Sequence, residues 1–308
     1  MLVALRTGVG TFEGFYWPQQ FRMAKAWFDE REMSRANAII QYYGQYLALA
    51  LGFFLLTPLY TGLGWRPLFW ILGSIGILVV LPLYIFVLKP APKIAAATIV
   101  AVERPRLTFA AFGGGRFILL VGAYFANGML FWGITLFIPL VVPTFGFDPG
   151  LNWLLAASPF IVFLVLTVPM IAISDRTGKR GLIVASGLIV GGILVAILPF
   201  VGSPVGKFVL ICVGLGYFTA AFTPNIWAIA VNQFPAHAVG PATGIINGFG
   251  AGGGGIVAGA LVGVLLAATG TYTAGLSVLG LAAIVGGGAL LIYVRLGARQ
   301  SAAAPSIG

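Results

Sequence analysis

The sequence predicts an all-α protein, a polytopic transmembrane bundle of about nine helices. Hydrophobic residues make up 60% of the 308-residue chain and charged residues only 8%, and the mean hydropathy is +1.04. A water-soluble domain has roughly 25% charged residues, so this composition excludes a soluble globular fold. The apolar runs are continuous and do not alternate with polar residues, which favours membrane-spanning helices over a membrane β-barrel.

Nine windows are long and apolar enough to cross a bilayer, which takes about 20 residues of helix. They cover residues 2–21, 39–62, 67–88, 117–142, 151–174, 181–202, 206–231, 241–268 and 272–294. The longest break between them, residues 89–116, is rich in proline and basic residues and is predicted to be a cytoplasmic linker. It separates residues 1–88, with three helices, from residues 117–296, with six, and residues 297–308 are predicted to form a tail.

The basic residues lie mostly on alternate connections between the predicted spans. A net charge of +10 would suggest nucleic acid as the partner of a soluble protein, but in a membrane protein basic loops mark the cytoplasmic side. One set of connections holds Arg22, Lys25, Arg31, Arg35, Lys89, Lys93, Arg104, Arg106, Arg116, Arg176, Lys179, Arg180, Arg295 and Arg299. The opposite set holds only Arg66 and Lys207. The C-terminus is therefore predicted to be cytoplasmic, the N-terminus to lie outside, and the main partner to be the lipid bilayer.

A short charged turn joins the second and third helices after the linker. It reads Ser174-Asp175-Arg176-Thr177-Gly178-Lys179-Arg180 and lies between two apolar windows. The turn resembles the D-R-x-G-R-R signature of the major facilitator superfamily, which follows the second helix of each six-helix half. Asp175, Arg176, Gly178, Lys179 and Arg180 are the residues that match. The alternative is an ordinary basic loop that follows the charge rule for cytoplasmic connections.

The first third of the chain carries a more specific resemblance, to the anion:cation symporter family. The residues that carry it are Arg6, Gly8, Gly10, Glu13, Pro18, Trp27, Phe28, Glu32, Arg35, Ala36, Asn37, Gly64, Trp65, Arg66 and Phe69. This resemblance implies the major facilitator fold of twelve helices, with residues 1–88 matching helices four to six and residues 117–296 the C-terminal half. Helices one to three of the fold have no counterpart in this sequence, so we expect it to be truncated at the N-terminus.

Apart from Lys207, the second residue of the 206–231 window, Arg6 and Glu13 are the only charged residues inside a predicted span. A charge at the bilayer centre costs about 2.5–3.5 kcal/mol on insertion scales, so such residues are candidates for function. Seven residues make almost two helical turns, so both side chains lie on one face about 10 Å apart along the axis. The alternative for Arg6 is an interfacial residue whose long side chain reaches the headgroups. The resemblance implies that Arg6 binds the substrate anion and that Glu13 couples transport to a proton.

The other polar residues inside spans are neutral. Amides, hydroxyls and indole N–H groups can bind hydroxyls or carboxylates in a dry cavity, or they can form hydrogen bonds between helices, which average only about 0.6 kcal/mol. The candidates are Gln41, Tyr42, Gln45, Asn127, Trp132, Asn225, Trp227 and Asn247. His237 is the single histidine and follows Pro235 near a helix end, where a solvated loop residue is the simplest interpretation.

Glycines in the eighth window form two patterns. Gly248, Gly250 and Gly253 satisfy G-x-G-x-x-G, but a dinucleotide site also requires a preceding strand, so no cofactor is predicted. Gly244, Gly248, Gly252, Gly255, Gly259 and Gly263 recur about every four residues and predict a small-residue face for close helix packing. One histidine and one cysteine leave no basis for a metal cluster or a catalytic triad, so an enzyme is not expected.

Together these patterns predict a secondary active transporter of the bacterial inner membrane. The resemblance implies symport of a small organic anion, such as a sugar acid, with a proton or sodium ion, by alternating access of two helical halves. Two alternatives remain open. One is a proton-driven efflux pump of the same fold, and the other is a fragment that transports nothing because three helices are missing.

Overall fold

The computed structural model describes residues 2–27, 39, 43–87, 109–234 and 236–303. Throughout this part of the chain the regular structure is helical and contains no strand, which confirms the all-α prediction. Most of the predicted linker, together with the last five residues of the tail, lies outside the described residues.

The described residues of the N-terminal third form three helices. Helix α1 is Leu2–Trp27. Helix α2 is Gly44–Leu63 and contains a π-helical turn at Gly52–Leu56, and helix α3 is Trp65–Val87 with a π-helical turn at Gly76–Val80. Gly64 separates α2 from α3 with a φ of 79°, a conformation that glycine adopts without steric cost.

Six helices follow. They are α4 (Gly115–Val141), α5 (Asn152–Thr177), α6 (Arg180–Ala196), α7 (Pro204–Gln233), α8 (Ala236–Ile245, a π-helical segment at Ile246–Gly252, and Gly253–Thr269) and α9 (Tyr272–Ala303). Short 3₁₀ turns at Val142–Phe145, Pro149–Leu151 and Leu198–Phe200 connect some of them. The connections are short, so consecutive helices alternate in direction.

Eight of these helices are long and apolar enough to cross a bilayer, and α1 is not among them. Helix α1 has 26 residues, but it includes Arg6, Glu13, Arg22 and Lys25. The first predicted span is therefore helical, while length and composition support eight spans in the described residues and not nine. Eight such helices make the chain an integral, multi-pass membrane protein.

Contacts divide the chain into two compact units. The first unit is Met1–Gln45 with Leu55–Pro105, and the second is Tyr46–Phe54 with Arg106–Gly308. The segment Tyr46–Phe54 of α2 therefore packs together with helices α4 to α9. The domain boundaries at residues 89–116 stay a prediction.

Within the second unit, glycines let helices approach until their backbones touch. Helix α6 packs against α7 and α9, and α4 packs against α8 and α9. Where α6 crosses α9, a Cβ atom on Gly192 would lie 2.6 Å from the carbonyl oxygen of Gly280. A Cβ on Gly280 would in turn lie 2.6 Å from the backbone nitrogen of Ala196. This crossing excludes every larger side chain, because backbone atoms on the facing helix cannot move aside.

The predicted glycine face of α8 is wrong for most of its members, although Gly255 does pack against α4, where an added Cβ atom would lie 3.0 Å from Cδ1 of Trp132. Gly244, Gly248, Gly259 and Gly263 would each have no neighbour within 4 Å of an added Cβ atom. The face that packs is Ile246, Gly250, Gly254, Ala258 and Val262, all of which are buried. The predicted glycines and the buried residues both recur about every four positions, so the two sets share one periodicity. The spacing alone did not indicate which residues would meet α4.

Candidate functional site

An ion pair on α1 joins the two charged residues singled out in the first predicted span. Nη1 of Arg6 lies 3.1 Å from Oε1 of Glu13, so the guanidinium donates a hydrogen bond to the carboxylate. The two side chains are 70% and 57% exposed. Because a guanidinium has five N–H donors in a planar fork, this single contact leaves most of its donors available to a ligand.

The geometry of this pair follows from helix dimensions. Seven residues rise about 10 Å and turn almost twice, so the two Cα atoms lie on one face but far apart. The Glu13 side chain leans toward the helix N-terminus, and the long Arg6 side chain spans the remaining distance. Within apolar surroundings, such a pair is easier to accommodate than either charge alone, because each ion offsets the desolvation of the other.

In the second unit, polar residues of α7 lie on both sides of Pro224, which is inside the helix. Proline has no backbone N–H and disrupts the hydrogen-bond ladder of a helix. Next to it, the Asn225 side chain donates through Nδ2 to the carbonyl oxygen of Ala221 at 3.0 Å, and only 4% of Asn225 is exposed. The amide nitrogen of Asn225 thus bonds to the backbone of its own helix, while Oδ1 can accept a hydrogen bond.

Tyr46 of α2 is the centre of an aromatic cluster. Its ring centroid lies 3.8 Å from that of Phe163 on α5 and 5.7 Å from that of Phe131 on α4. Its hydroxyl lies 3.5 Å from Oγ1 of Thr223 on α7. One side chain therefore touches three helices of the second unit, and its single polar atom meets the residue before Pro224.

A second aromatic pair couples α4 to α7. The rings of Tyr124 and Trp227 have centroids 5.3 Å apart in an edge-to-face arrangement, and their side chains share a hydrogen bond. Tyr124 also lies against Gly250, where an added Cβ atom would be 2.9 Å from Cβ of Tyr124. Hence Tyr124 connects Trp227 to the π-helical segment of α8.

The remaining amide candidates, Asn127 and Asn247, lie on α4 and α8, the two helices that Tyr124 connects. Asn127 is half-buried on α4, and Asn247 is half-buried in the π-helical segment of α8. Within the described part of the chain neither amide forms a hydrogen bond, so both can accept a ligand. Trp132 packs its ring against Gly255, where an added Cβ atom would lie 3.0 Å from Cδ1 of the indole. In soluble and membrane proteins alike, π-helical turns inside α-helices often mark functional sites.

We define the neutral polar cluster as Tyr46, Tyr124, Thr223, Asn225 and Trp227. Its members come from α2, α4 and α7 and carry hydroxyl, amide and indole groups but no charge. Tyr46 and Tyr124 are 4% and 6% exposed, so these two hydroxyls are closed to solvent in this conformation. Such groups can bind hydroxyl or carboxyl oxygens in an apolar cavity.

The charged turn between α5 and α6 is a tight helix end. Gly178 has a φ of 65° and donates its N–H to the carbonyl oxygen of Ser174 at 3.0 Å, the left-handed ending that glycine favours. Across the turn, Nη2 of Arg180 lies 2.9 Å from Oδ1 of Asp175. Arg176 and Lys179 are exposed. The five motif residues are thus together in one turn, which presents an ion pair and two further cations.

Three of the sequence candidates have side chains outside the described part of the chain. They are Gln41, Tyr42 and His237. Gln45 is half-buried on α2. Among the described residues no three histidine, cysteine or acidic side chains lie close enough to hold a metal ion.

The sequence patterns did not single out Tyr46, Thr223 or Tyr124. Tyrosine and threonine are common in membrane helices, and neither residue type costs enough in a bilayer to attract notice. Tyr46 and Thr223 are separated by 177 positions, so no local pattern connects them. The one available signal was that Thr223 and Asn225 flank Pro224, because a proline disrupts the hydrogen-bond ladder of a helix.

A comparison with protein families agrees with the arrangement of helices. The family model of the Major Facilitator Superfamily matches residues 1–258, well over half of the chain. No curated protein matches the sequence. Members of this superfamily are membrane transporters and not enzymes. By this match, and by its apolar helices, the chain belongs to the major facilitator superfamily.

Proposed function

We propose that this protein is a secondary active transporter that takes up a small organic anion together with a proton, by alternating access. Membership of the superfamily supports transport. The ion pair between Arg6 and Glu13 supports an anionic substrate and coupling to a proton, because it holds an anion-binding group and a proton-binding group in one contact.

Arg6 would bind the carboxylate of the substrate. A planar guanidinium can donate two parallel hydrogen bonds to a carboxylate, which a lysine ammonium cannot. Since only one short contact to Glu13 is present and the side chain is largely exposed, a substrate carboxylate could replace or join Glu13. Arg6 is the only cation in the apolar first part of α1.

Glu13 would carry the coupled proton. When the substrate takes the guanidinium, Glu13 would lose its counter-charge, and a proton would take the place of that counter-charge on the carboxylate. Release of the substrate restores the pair and expels the proton. Binding of anion and proton would thus be linked through one contact.

The neutral polar cluster of the second unit supplies hydroxyl, amide and indole groups that would bind hydroxyl or carboxyl oxygens. Asn127 and Asn247 supply amides that form no hydrogen bond with described residues, and Trp227 supplies an indole group. We propose Gln41, Tyr42, Gln45 and Asn225 as further binding residues on the basis of their polar side chains in apolar helices. The Asp175–Arg180 turn would act as a contact that breaks and reforms between conformations.

We also propose that the C-terminus is cytoplasmic and the membrane is the bacterial inner membrane, because most basic residues fall on one set of alternate connections. A single cysteine at Thr177, in a protein with Cys212→Ser, tests the orientation. In intact cells it should not react with a membrane-impermeant thiol reagent. Reaction from outside would reverse the orientation.

The Glu13→Gln substitution tests the coupling role. Glutamine keeps the shape of a protonated glutamate but cannot release a proton. In vesicles that contain the purified protein, uptake driven by a pH gradient should fall at least about tenfold, which corresponds to about 1.4 kcal/mol, whereas exchange of labelled for unlabelled substrate should persist. A sugar acid, a phthalate and a tartrate serve as probes.

Two further variants control this experiment. Asp148→Asn removes an exposed carboxylate whose Oδ1 accepts from the Gly150 N–H at 2.7 Å, and it should leave both activities unchanged. Arg6→Lys should lose both activities, because a point charge does not replace the guanidinium fork. Gradient-driven uptake by Glu13→Gln equal to that of the unmodified protein would exclude the coupling role and leave Glu13 as a structural partner of Arg6.

A further inference from the structure

We propose that the end of the second unit where α5 ends, α6 begins and α9 leaves the apolar region binds the headgroup of an anionic phospholipid. The residues that form this surface, here called the basic rim, are Arg176, Lys179, Arg180 and Arg295. The inference concerns a lipid site and does not depend on which substrate the protein carries.

Helix contacts bring the rim residues together. The first turn of α6 touches the end of α9, since a Cβ on Gly181 would lie 3.1 Å from Cγ1 of Val294. Lys179 and Arg180 immediately precede that contact, and Arg295 immediately follows it. The cations of the α5–α6 turn and of α9 therefore share one end of the bundle.

Arg116 fixes the end of α9 beside them. Its guanidinium carbon lies 4.8 Å from the centroid of the Tyr293 ring, and Nη2 lies 3.4 Å from the Tyr293 carbonyl oxygen. Its Nη2 also lies against Gly297, where any side chain would collide with it. Arg116 is thus engaged in holding α4 to α9, and it adds positive charge at the same end.

The rim has an excess of positive charge that its neighbours do not neutralise. Residues 106–308 contain only two acids, Asp148 and Asp175, and Asp175 pairs with Arg180. Arg176, Lys179 and Arg295 are exposed, and no described acid bonds to them. At the other end of this unit, the charged side chains among the described residues are Lys207 and Asp148, one of each sign.

The rim lies where lipid headgroups lie. Apolar spans end at Thr177, begin at Arg180 and end at Gly297, so the cations stand at the boundary of the hydrocarbon layer. Directly inside that boundary, Ile173, Leu182 and Ile292 are exposed apolar side chains. This surface combines cations that can bind a phosphate with exposed apolar side chains that acyl chains can cover. It therefore fits a phospholipid better than it fits a soluble anion.

Binding of a fluorescent phosphatidylglycerol to the intact chain in neutral detergent micelles tests the proposal. Each cation near an anionic headgroup is worth about a fivefold change in affinity, so Lys179→Gln with Arg295→Gln should weaken binding about 30-fold. Phosphatidylcholine with the same acyl chains should bind more weakly than phosphatidylglycerol, and the preference should decrease as salt is added.

Matched variants separate this lipid site from a general effect of positive charge. Lys207→Gln removes a cation at the opposite end and should leave the affinity unchanged, whereas Lys179→Arg with Arg295→Lys should retain it. If the double variant does not fold, Lys179→Gln alone is tested in its place. Its helicity by circular dichroism should equal that of the unmodified protein.

Any of three results overturns the proposal. The first is binding of phosphatidylglycerol by the double glutamine variant as tight as that of the unmodified protein. The second is a loss of affinity in Lys207→Gln as large as that of the rim variant. The third is displacement of the probe by inorganic phosphate at the concentrations at which phosphatidylglycerol displaces it, which would make the rim a site for soluble anions.

Discussion

Helix α8 presents glycines on two faces that differ in what they meet. Gly254 lies against the backbone of α4, where a Cβ would collide with the carbonyl oxygen of Phe125 and lie 2.8 Å from the nitrogen of Met129. Gly248, six residues earlier, has nothing within 4 Å of a Cβ added in the same way. Both are glycines in apolar surroundings, but only the first is required by close packing.

This contrast shows that a small-residue stripe indicates the capacity for close packing and not its direction. Rotation of a helix about its own axis is decided by the partner, and here α4 supplies Gly128, on which a Cβ would lie 2.6 Å from the carbonyl oxygen of Ala251. Two glycines that face each other bring backbones together. A glycine without such a counterpart does not.

Gly254→Ala should destabilise the protein more than any other single change on α8. The new methyl group would meet backbone atoms of α4, which cannot move without separating the two helices, so overpacking should outweigh the gain in helix propensity. We expect the free energy of unfolding to fall by about 2 kcal/mol, measured by titration with a denaturing detergent. An unchanged value would show that α4 and α8 can separate at no cost and would remove the distinction between the two faces.

Gly248→Ala should have a smaller effect, and one of opposite sign. The methyl group would enter open space, and alanine loses less backbone entropy on folding than glycine. We expect the free energy of unfolding to rise by about 0.5–1 kcal/mol in the same titration. A decrease comparable to that of Gly254→Ala would mean that the Gly248 face is also packed in the assembled protein.

The general architecture could be predicted from the sequence because the bilayer imposes it. A run of about 20 apolar residues has few alternatives to a helix in lipid, where every backbone polar group needs an internal partner. The exception is α1, in which Arg6 and Glu13 lower the hydropathy of a segment that is still helical. Of the nine spans predicted, eight are therefore supported among the described residues, and the prediction is weakest where charges occur within a helix.

The sequence predicted only those parts of the candidate site that are formed by residues close together in the chain. The Arg6–Glu13 contact follows from a spacing of seven on one helix, and the α5–α6 turn follows from Gly178 between charged residues. By contrast, the contacts of Tyr46 with Phe131, Phe163 and Thr223 join distant segments. Such contacts depend on how whole helices pack, and no periodicity within one helix encodes them.

The position of Tyr46 also matters during biosynthesis. Its hydroxyl meets Thr223, which the ribosome adds 177 residues later, or about 9–35 s later at usual rates of synthesis. During that time Tyr46 has left the ribosome, but its partners on α4, α5 and α7 are not yet complete. The segment Tyr46–Phe54 must therefore persist without these neighbours until the later helices have been made. The order of synthesis thus makes α2 a helix that precedes its final neighbours by most of a hundred residues or more.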